Sequence, residues 1–257
     1  MTLLVLVAIL LLETFATHFM QYRQHDLVSQ YYFKWSNFLT NNNIRQPWVI
    51  IGLTLIIPLA VTYLLLANHQ GFFGLVFEFT VTVLVLFWLL GPKSLNQFYK
   101  ELATESDDTP HSLCKKLIRY AHYGYLGVII WYVLLGPLAA VMYRMVYQLA
   151  VKNDQDESEE VIATHWDTVW HLVDWIPTRI TALLLLLTGN FANGAATLKD
   201  QALSVDADNR ELLEDVGLAA GDIDEAEADA LTQTRHSIER GLILLTVLVA
   251  LISFFQL

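Results

Sequence analysis

A carboxylate, a proline and a guanidinium stand together at the start of a leucine-rich stretch. The motif is Asp174-Trp175-Ile176-Pro177-Thr178-Arg179, and a run of leucines follows it directly. Asp174 is placed to cap a helix by accepting a backbone N–H, and Pro177 falls in the first turn, where no hydrogen bond is lost. One interpretation is a capped helix end with an interfacial tryptophan and a snorkelling arginine. The other is an ionisable pair held at a membrane boundary, which is costly unless it is paired or used.

Other ionisable side chains interrupt apolar stretches elsewhere in the chain. Glu13 and Glu78 each lie within such a stretch, and Tyr143-Arg144 ends another. Charges of opposite sign lower one another's burial cost when they pair. Three interpretations stay open: an ion network that holds helices in register, a polar pocket that binds a ligand, and a catalytic centre. The candidate functional cluster comprises Glu13, Glu78, Tyr143, Arg144, Asp174 and Arg179.

No residue is assigned a catalytic or metal-binding role from the sequence. Asp167, His171 and Asp174 share a helical face, but no further histidine or cysteine stands nearby to complete a metal site. The phosphate-binding loop GxxxxGK[ST] and the dinucleotide fingerprint GxGxxG are both missing, so we expect no cofactor. The single cysteine, Cys114, excludes an intrachain disulfide.

Composition indicates an integral membrane protein. The 257 residues are 55% hydrophobic and only 16% charged, whereas soluble domains carry about 25% charged residues. The net charge of −11 argues against a nucleic-acid partner, because phosphate binding needs a basic face. The expected partner is the lipid bilayer, and the expected fold is a single all-α polytopic helix bundle.

Hydropathy predicts about six spans in one integral domain of residues 1–257. The spans are placed at 1–20, 47–67, 72–90, 122–148, 175–193 and 241–257. Polar connectors with short amphipathic helices lie between them at 21–46, 93–121, 149–170 and 196–240. The first segment, which contains Glu13, spans or is re-entrant. Gly136-Pro137 should bend the fourth span.

The distribution of basic residues orients this bundle. With six spans, twelve Lys and Arg fall on one side and three on the other, which places the basic side in the cytoplasm and both termini outside. Glu78, Arg144, Asp174 and Arg179 then share one depth near the outer face. We therefore expect these four charges to meet.

Two motifs resemble the AmpE family. They are Trp131-Tyr132-Val133-Leu134-Leu135-Gly136-Pro137, continued by Tyr143-Arg144, and the Asp174–Arg179 motif. AmpE proteins are bacterial inner-membrane proteins related to the CobD/CbiB synthases of cobalamin biosynthesis. The resemblance implies a multi-pass protein of the inner membrane with a signalling role in β-lactamase induction and cell-wall recycling, and therefore in the antibiotic response.

Three functions follow as hypotheses. The first is a non-enzymatic regulator whose polar cluster responds to an envelope ligand or to a membrane partner protein. The second is a CobD/CbiB-like amide-forming synthase or another transferase that acts on a small amphiphilic substrate. The synthases carry an acidic pair and an Asn before a Pro-Ala-Arg, where this chain has Trp170-His171, Asp174 and Thr178. The third is a structural subunit of a membrane complex.

Overall fold

The computed structural model describes most of the chain and shows only helices there. It describes residues 1–15, 23, 26–44, 46–67, 71–104, 108–153, 160–199, 201–222 and 229–255. In chain order the α-helices are α1 Thr2–Phe15, α2 Asp26–Asn41, α3 Pro47–Leu66, α4 Gly71–Leu89, α5 Leu95–Thr104, α6 Pro110–Ala121, α7 Gly127–Leu135, α8 Pro137–Asn153, α9 Glu160–Thr188, α10 Phe191–Lys199, α11 Asn209–Gly221 and α12 Ala230–Phe255. The all-α class is confirmed.

Four of these helices are long and apolar enough to cross a membrane. They are α3, α4, the segment Thr164–Thr188 of α9, and α12. The predicted spans at 47–67 and 72–90 match α3 and α4 closely, whereas α1 is a shorter apolar helix. The length and composition of these helices indicate a membrane protein, but the count of about six spans is not confirmed.

The segment 122–148, predicted to be a single span, reverses direction in the middle. Gly136 has a φ of +84° and separates α7 from α8. A backbone in this region is accessible to glycine and strained for other residues. Pro137 then occupies the first position of α8, where a missing N–H costs nothing. The prediction of one bent span was wrong here, because the bend at Gly136-Pro137 is a complete turn.

The contacts of α7, and of the turn just before it, with α8 are those of an antiparallel hairpin. A Cβ on Gly127 would lie 2.1 Å from the Tyr143 hydroxyl oxygen, and the Tyr123 and Tyr147 rings stack with centroids 5.2 Å apart. Both pairs are centred on Leu135, beside the turn. Leu135 is 68% exposed at the tip, so the hairpin presents an apolar end to its surroundings.

A π-helical turn, His122–Leu126, joins α6 to α7. The wider turn leaves backbone carbonyls available for partners outside the helix. The Tyr123 carbonyl accepts a hydrogen bond from Arg144 Nη1 at 3.0 Å, which ties the two arms of the hairpin together. The Gly124 carbonyl accepts one from Gly91 N at 3.0 Å, just beyond the end of α4.

The start of α3 and the end of α4 define one end of the apolar helices, which we call the polar end. Trp48 and Gly91 mark it. Arg23 lies there and donates to the Gly91 carbonyl at 2.9 Å and to Glu13 Oε2 at 2.6 Å. Tyr125 Oη also donates to Glu13. Helix α1 therefore ends at the same level as α4.

Two apolar cores lie on either side of α9. The first is formed by α1, α3, α4, α7, α8 and the second half of α12. The second is formed by α5, α6, α10, α11 and the first half of α12. Half of the apolar window of α9 is buried inside the chain, compared with 22% for α3. The leucine run that predicted a span at 175–193 thus supplies side chains to both cores.

The remaining predictions concern the ends and connectors. The predicted span 241–257 is the second half of the longer helix α12, and residues 256–257 lie outside the described residues. Part of the first predicted span, 16–20, lies outside them as well. Within the connector 149–170, residues 154–159 are also outside, and α8 and α9 extend into the connector from either side.

Candidate functional site

Asp174 lies at the centre of a fully buried polar cluster. Its Oδ1 accepts hydrogen bonds from the Tyr143 hydroxyl and from His122 Nε2, each at 2.9 Å, and its Oδ2 accepts one from Thr178 Oγ1 at 2.9 Å. His122 Nδ1 lies 2.9 Å from Thr181 Oγ1. These side chains come from the π-turn, α8 and α9, so the cluster joins the hairpin to α9. A buried carboxylate is tolerated where its lone pairs are satisfied in this way.

The predicted capping role of Asp174 is wrong, because α9 begins far upstream at Glu160 and passes straight through the motif. Pro177 lies inside α9 rather than in its first turn. The Asp174 side chain therefore serves hydrogen bonds between helices instead of a helix end.

Arg179 and Arg144 are both buried, but each binds a different part of the chain. Arg179 Nη2 donates to the Ser204 carbonyl at 2.8 Å, its Nη1 donates to Asn209 Oδ1, and its guanidinium lies 4.6 Å from the Trp175 ring centre. Arg179 thereby anchors the segment before α11 onto α9. Arg144 lies 5.2 Å from the Tyr147 ring centre as well as bonding the Tyr123 carbonyl.

The two glutamates lie apart from this cluster. Glu13 is paired with Arg23 at the polar end. Glu78 lies in the middle of α4, about 20 Å along the helix from Gly91 at the polar end. Within the described residues, Glu78 makes no ion pair. The four charges expected to meet at one depth therefore do not form one network, and of the six predicted residues the structure brings Tyr143 and Asp174 into direct contact.

A cavity of about 850 Å³ opens beside the buried cluster. We call it the polar-end cavity. Its aromatic lining comprises Phe98, Tyr120, Tyr123, Tyr147 and Trp170, and its charged lining comprises Lys116, Arg119, Arg210, Asp167, Asp206 and Asp208. Trp170 contacts Tyr123, Tyr143 and Tyr147 with ring centroids 5.1–5.4 Å apart. The aromatic rings therefore separate the cavity from Asp174.

The electrostatics of the cavity rim depend on burial. Tyr120 donates to the Lys93 carbonyl at 2.6 Å and accepts from Lys93 N at 2.9 Å. Burial raises the pKa of Tyr120 to about 12, so this phenol is neutral at physiological pH. No group of three metal-ligating side chains occurs among the described residues, and we assign no metal to the site.

Sequence reasoning missed the cavity because its walls are far apart in the chain. His122 and Tyr123 were assigned to the start of a span, and Arg119 and Arg210 to separate connectors. A signal was present in the tyrosines Tyr123 and Tyr147, which are equally far from Leu135 beside Gly136-Pro137, since a hairpin brings such positions together. No family model matches this chain, and neither curated proteins nor solved structures give a match.

Proposed function

We propose that this chain is a regulatory protein of the bacterial inner membrane, of the AmpE type, which binds a ligand from the cytoplasm in the polar-end cavity. The observation that carries the proposal is the cavity itself, where aromatic side chains from both arms of the hairpin meet charged side chains from α6, α9 and α11. A concave site of this size with a few convergent polar groups is typical of small-molecule sites.

The side of the membrane on which the cavity lies depends on which helices cross the bilayer. We propose four crossings, by α1, α3, α4 and α12, instead of six. The hairpin supports this, because the twelve residues from Gly124 to Leu135 extend roughly 17 Å, about half of the hydrocarbon thickness. The chain then returns to the polar end.

The contacts of α9 support a position across the polar end rather than through the bilayer. Near its start, the His165 ring lies 4.9 Å from the ring of Trp48. Just past its end, Asn190 N donates to the Ala220 carbonyl at 2.6 Å, and a Cβ on Gly217 would touch both Ile118 and Leu185. Ile118 belongs to α6, which leads into the hairpin from the polar end. Both ends of α9 thus lie on the same side.

The exposed residues of α9 fit this position. Leu172, Ile176, Leu183 and Leu187 are exposed and share one helical face between the two cores. We expect such an apolar stripe to lie in the lipid interface, at the level between the membrane-embedded core and the core outside the membrane.

With four crossings, the basic residues are divided more unequally between the two sides of the membrane than with six. All fifteen Lys and Arg fall between Arg23 and Arg45 or between Lys93 and Arg240. With four crossings these segments share the polar end, and none falls at the termini or between α3 and α4. The positive-inside rule places that end in the cytoplasm. Both termini remain outside, as first predicted, while Arg144, Asp174 and Arg179 move to the cytoplasmic side.

Regulation rather than catalysis is supported by the burial of the reactive groups. His122 and Asp174 are fully buried beneath the aromatic rings, so this pair cannot touch a ligand in the cavity. A ligand that stacks on Tyr123, Tyr147 or Trp170 would instead contact both hairpin arms and α9. Its binding can shift the equilibrium between two arrangements of the hairpin if it favours one of them.

The sidedness is tested with single cysteines in a Cys114→Ala background. Asp206→Cys at the rim of the cavity and Ala67→Cys at the end of α3 are labelled with a membrane-impermeant maleimide. We expect Asp206→Cys to react in inverted vesicles and not in spheroplasts, with the reverse for Ala67→Cys. Labelling of both positions from the same side would contradict the four-crossing topology.

The function is tested in a strain that lacks the chromosomal copy and carries an inducible β-lactamase. We expect Asp206→Trp, which narrows the cavity at an exposed position, to alter induction without lowering the amount of protein in the membrane. Asp229→Trp, at an exposed aspartate outside the cavity lining, is the matched control. If both variants support normal induction, the cavity has no part in the response.

A further inference from the structure

We infer that the polar-end cavity binds an oxyanion, a phosphate or carboxylate group carried on an aromatic or similarly flat apolar body. This inference rests on the proposed ligand-binding role of the cavity and names the chemistry of the ligand. It depends on the arrangement of basic side chains around one buried carboxylate, Glu214, and on the rings that line the cavity.

Glu214 is shared by three cations. Its carboxylate lies 3.0 Å from Arg119 Nε, 3.2 Å from Arg210 Nε and 3.6 Å from Lys115 Nζ. One of these, Lys115, is also 3.5 Å from Asp215. The carboxylates therefore do not balance the three positive charges, and this wall of the cavity carries excess positive charge.

The two arginines present donors to the cavity. Both side chains line the cavity. Arg210 Nε donates to Glu214 Oε1 at 3.2 Å, whereas Arg119 Nε lies 3.0 Å from the same oxygen as an ion pair without a hydrogen bond. Within the described residues the Nη groups of both arginines have no hydrogen-bond partner. A guanidinium offers five N–H donors in a planar fork that matches phosphate and carboxylate oxygens. Two such forks held by one glutamate are pre-positioned for an oxyanion between them.

The acidic side chains of the cavity belong to other elements. Asp208 is occupied as the N-cap of α11, accepting from Arg210 N and Glu211 N. Asp167 lies on α9 and Asp206 in the segment before α11. The basic groups on α6 and α11 thus form a wall of their own.

The aromatic lining determines what carries the anion. Tyr123, Tyr147 and Trp170 form a group of contacting rings, and Phe98 stacks on Tyr120 with centroids 3.9 Å apart. A flat apolar body would find stacking surfaces there at centroid distances that favour aromatic pairs. The anion could come from a soluble metabolite or from the headgroup of an anionic lipid, since the cavity lies close to the membrane.

The test uses the full chain in two kinds of nanodisc, one of phosphatidylcholine alone and one containing phosphatidylglycerol. Phenyl phosphate, which has both an oxyanion and a ring, is the probe, and inorganic phosphate and phenol are its two halves. Binding is measured by calorimetry at low ionic strength. We expect phenyl phosphate to bind more tightly than either half.

Arg210→Gln is the deciding variant, and Arg235→Gln is its matched control. Each arginine pairs through Nε with a glutamate four residues later, so the change in net charge is the same. Arg235 instead lies over the Tyr99 ring and outside the cavity lining. We expect Arg210→Gln to weaken phenyl phosphate binding roughly tenfold or more, as loss of a charged hydrogen bond does, and Arg235→Gln to leave it unchanged.

The two nanodiscs separate the sources of the anion. Equal affinity for phenyl phosphate in both nanodiscs supports a soluble ligand. Weaker binding in the phosphatidylglycerol nanodiscs supports a lipid headgroup, provided that Arg210→Gln removes the difference between the two. If folded protein binds phenyl phosphate in neither disc, or if Arg210→Gln and Arg235→Gln behave alike, the oxyanion inference is overturned. The proposed ligand-binding function of the cavity would then still be tested separately by the Asp206→Trp induction experiment.

Discussion

The helical hairpin makes a direct prediction at Gly127. In the structure a Cβ at this position would lie 2.1 Å from the Tyr143 hydroxyl oxygen and 2.4 Å from Cζ. If 122–148 were a single helix, Gly127 and Tyr143 would be roughly 24 Å apart and could not touch. Replacing Gly127 by alanine therefore distinguishes the two arrangements.

The expected cost follows from the surroundings of the added methyl group. Tyr143 is fully buried and hydrogen-bonded to Asp174, so its ring cannot move aside without breaking that bond. Inserting a methyl group into such a packed site costs about 1–3 kcal/mol of unfolding free energy. Gly52, inside α3, has nothing within 4 Å of its hypothetical Cβ, and Gly52→Ala should stabilise its helix by up to about 1 kcal/mol.

Cys114 supplies the assay. It is the single cysteine of the chain and is fully buried. Burial raises the pKa of its thiol, so the reactive thiolate is scarce until the protein unfolds. Pulse labelling with a maleimide across a detergent-induced unfolding transition measures the unfolded fraction of each variant.

The outcome is decisive for the hairpin. We expect the transition of Gly127→Ala to move to lower denaturing detergent and that of Gly52→Ala to stay or move slightly higher. If both alanine variants shift alike, α7 and α8 do not pack against each other, and the argument for four crossings loses its main support.

Three further predictions follow from individual contacts. Arg144→Ala removes a partly buried hydrogen bond between the hairpin arms, so it should lower the unfolding free energy by about 1.5–3 kcal/mol and impair β-lactamase induction. Lys93→Ala removes only an exposed ion pair and should leave both the melting transition and induction unchanged. Glu13→Gln breaks a largely buried ion pair and should lower the unfolding free energy by about 3 kcal/mol, while Glu78→Gln should change it by less than about 0.5 kcal/mol. Because burial raises the pKa of Tyr120 to about 12, the unfolded state loses this proton at a lower pH than the folded state. The unfolding free energy should therefore fall between pH 10 and 12, and it should fall less steeply in Tyr120→Phe.

Each of these has a contrary result. Equal effects of the Arg144 and Lys93 variants would remove the hairpin tie as a determinant of function. Equal melting of the two glutamate variants would mean that the ion pair with Arg23 does not form. An unchanged alkaline profile in Tyr120→Phe would show that this phenol is accessible to solvent in the folded protein.

Much of the candidate site could be named from the sequence, but its geometry could not. Asp174 and Tyr143 stood out as polar groups in apolar surroundings, and the structure joins them at 2.9 Å. Their partner His122 did not stand out, because it lies at the start of a predicted span, 52 residues before Asp174 in the chain. The expected ion network among Glu78, Arg144 and Arg179 does not form. Arg144 bonds the Tyr123 carbonyl and Arg179 bonds the segment that leads into α11, while Glu78 makes no ion pair within the described residues.

The sequence by itself determined the helical class and the two clearest apolar helices, α3 and α4, and with them the indication of a membrane protein. These properties follow from composition and from local runs of apolar residues, which need no knowledge of what packs where. Only the tertiary structure decided that 122–148 turns back at Gly136 and that the leucine run of α9 lies between two cores. An apolar helix is equally stable against lipid or against other helices, so hydropathy alone cannot distinguish a span from a buried segment.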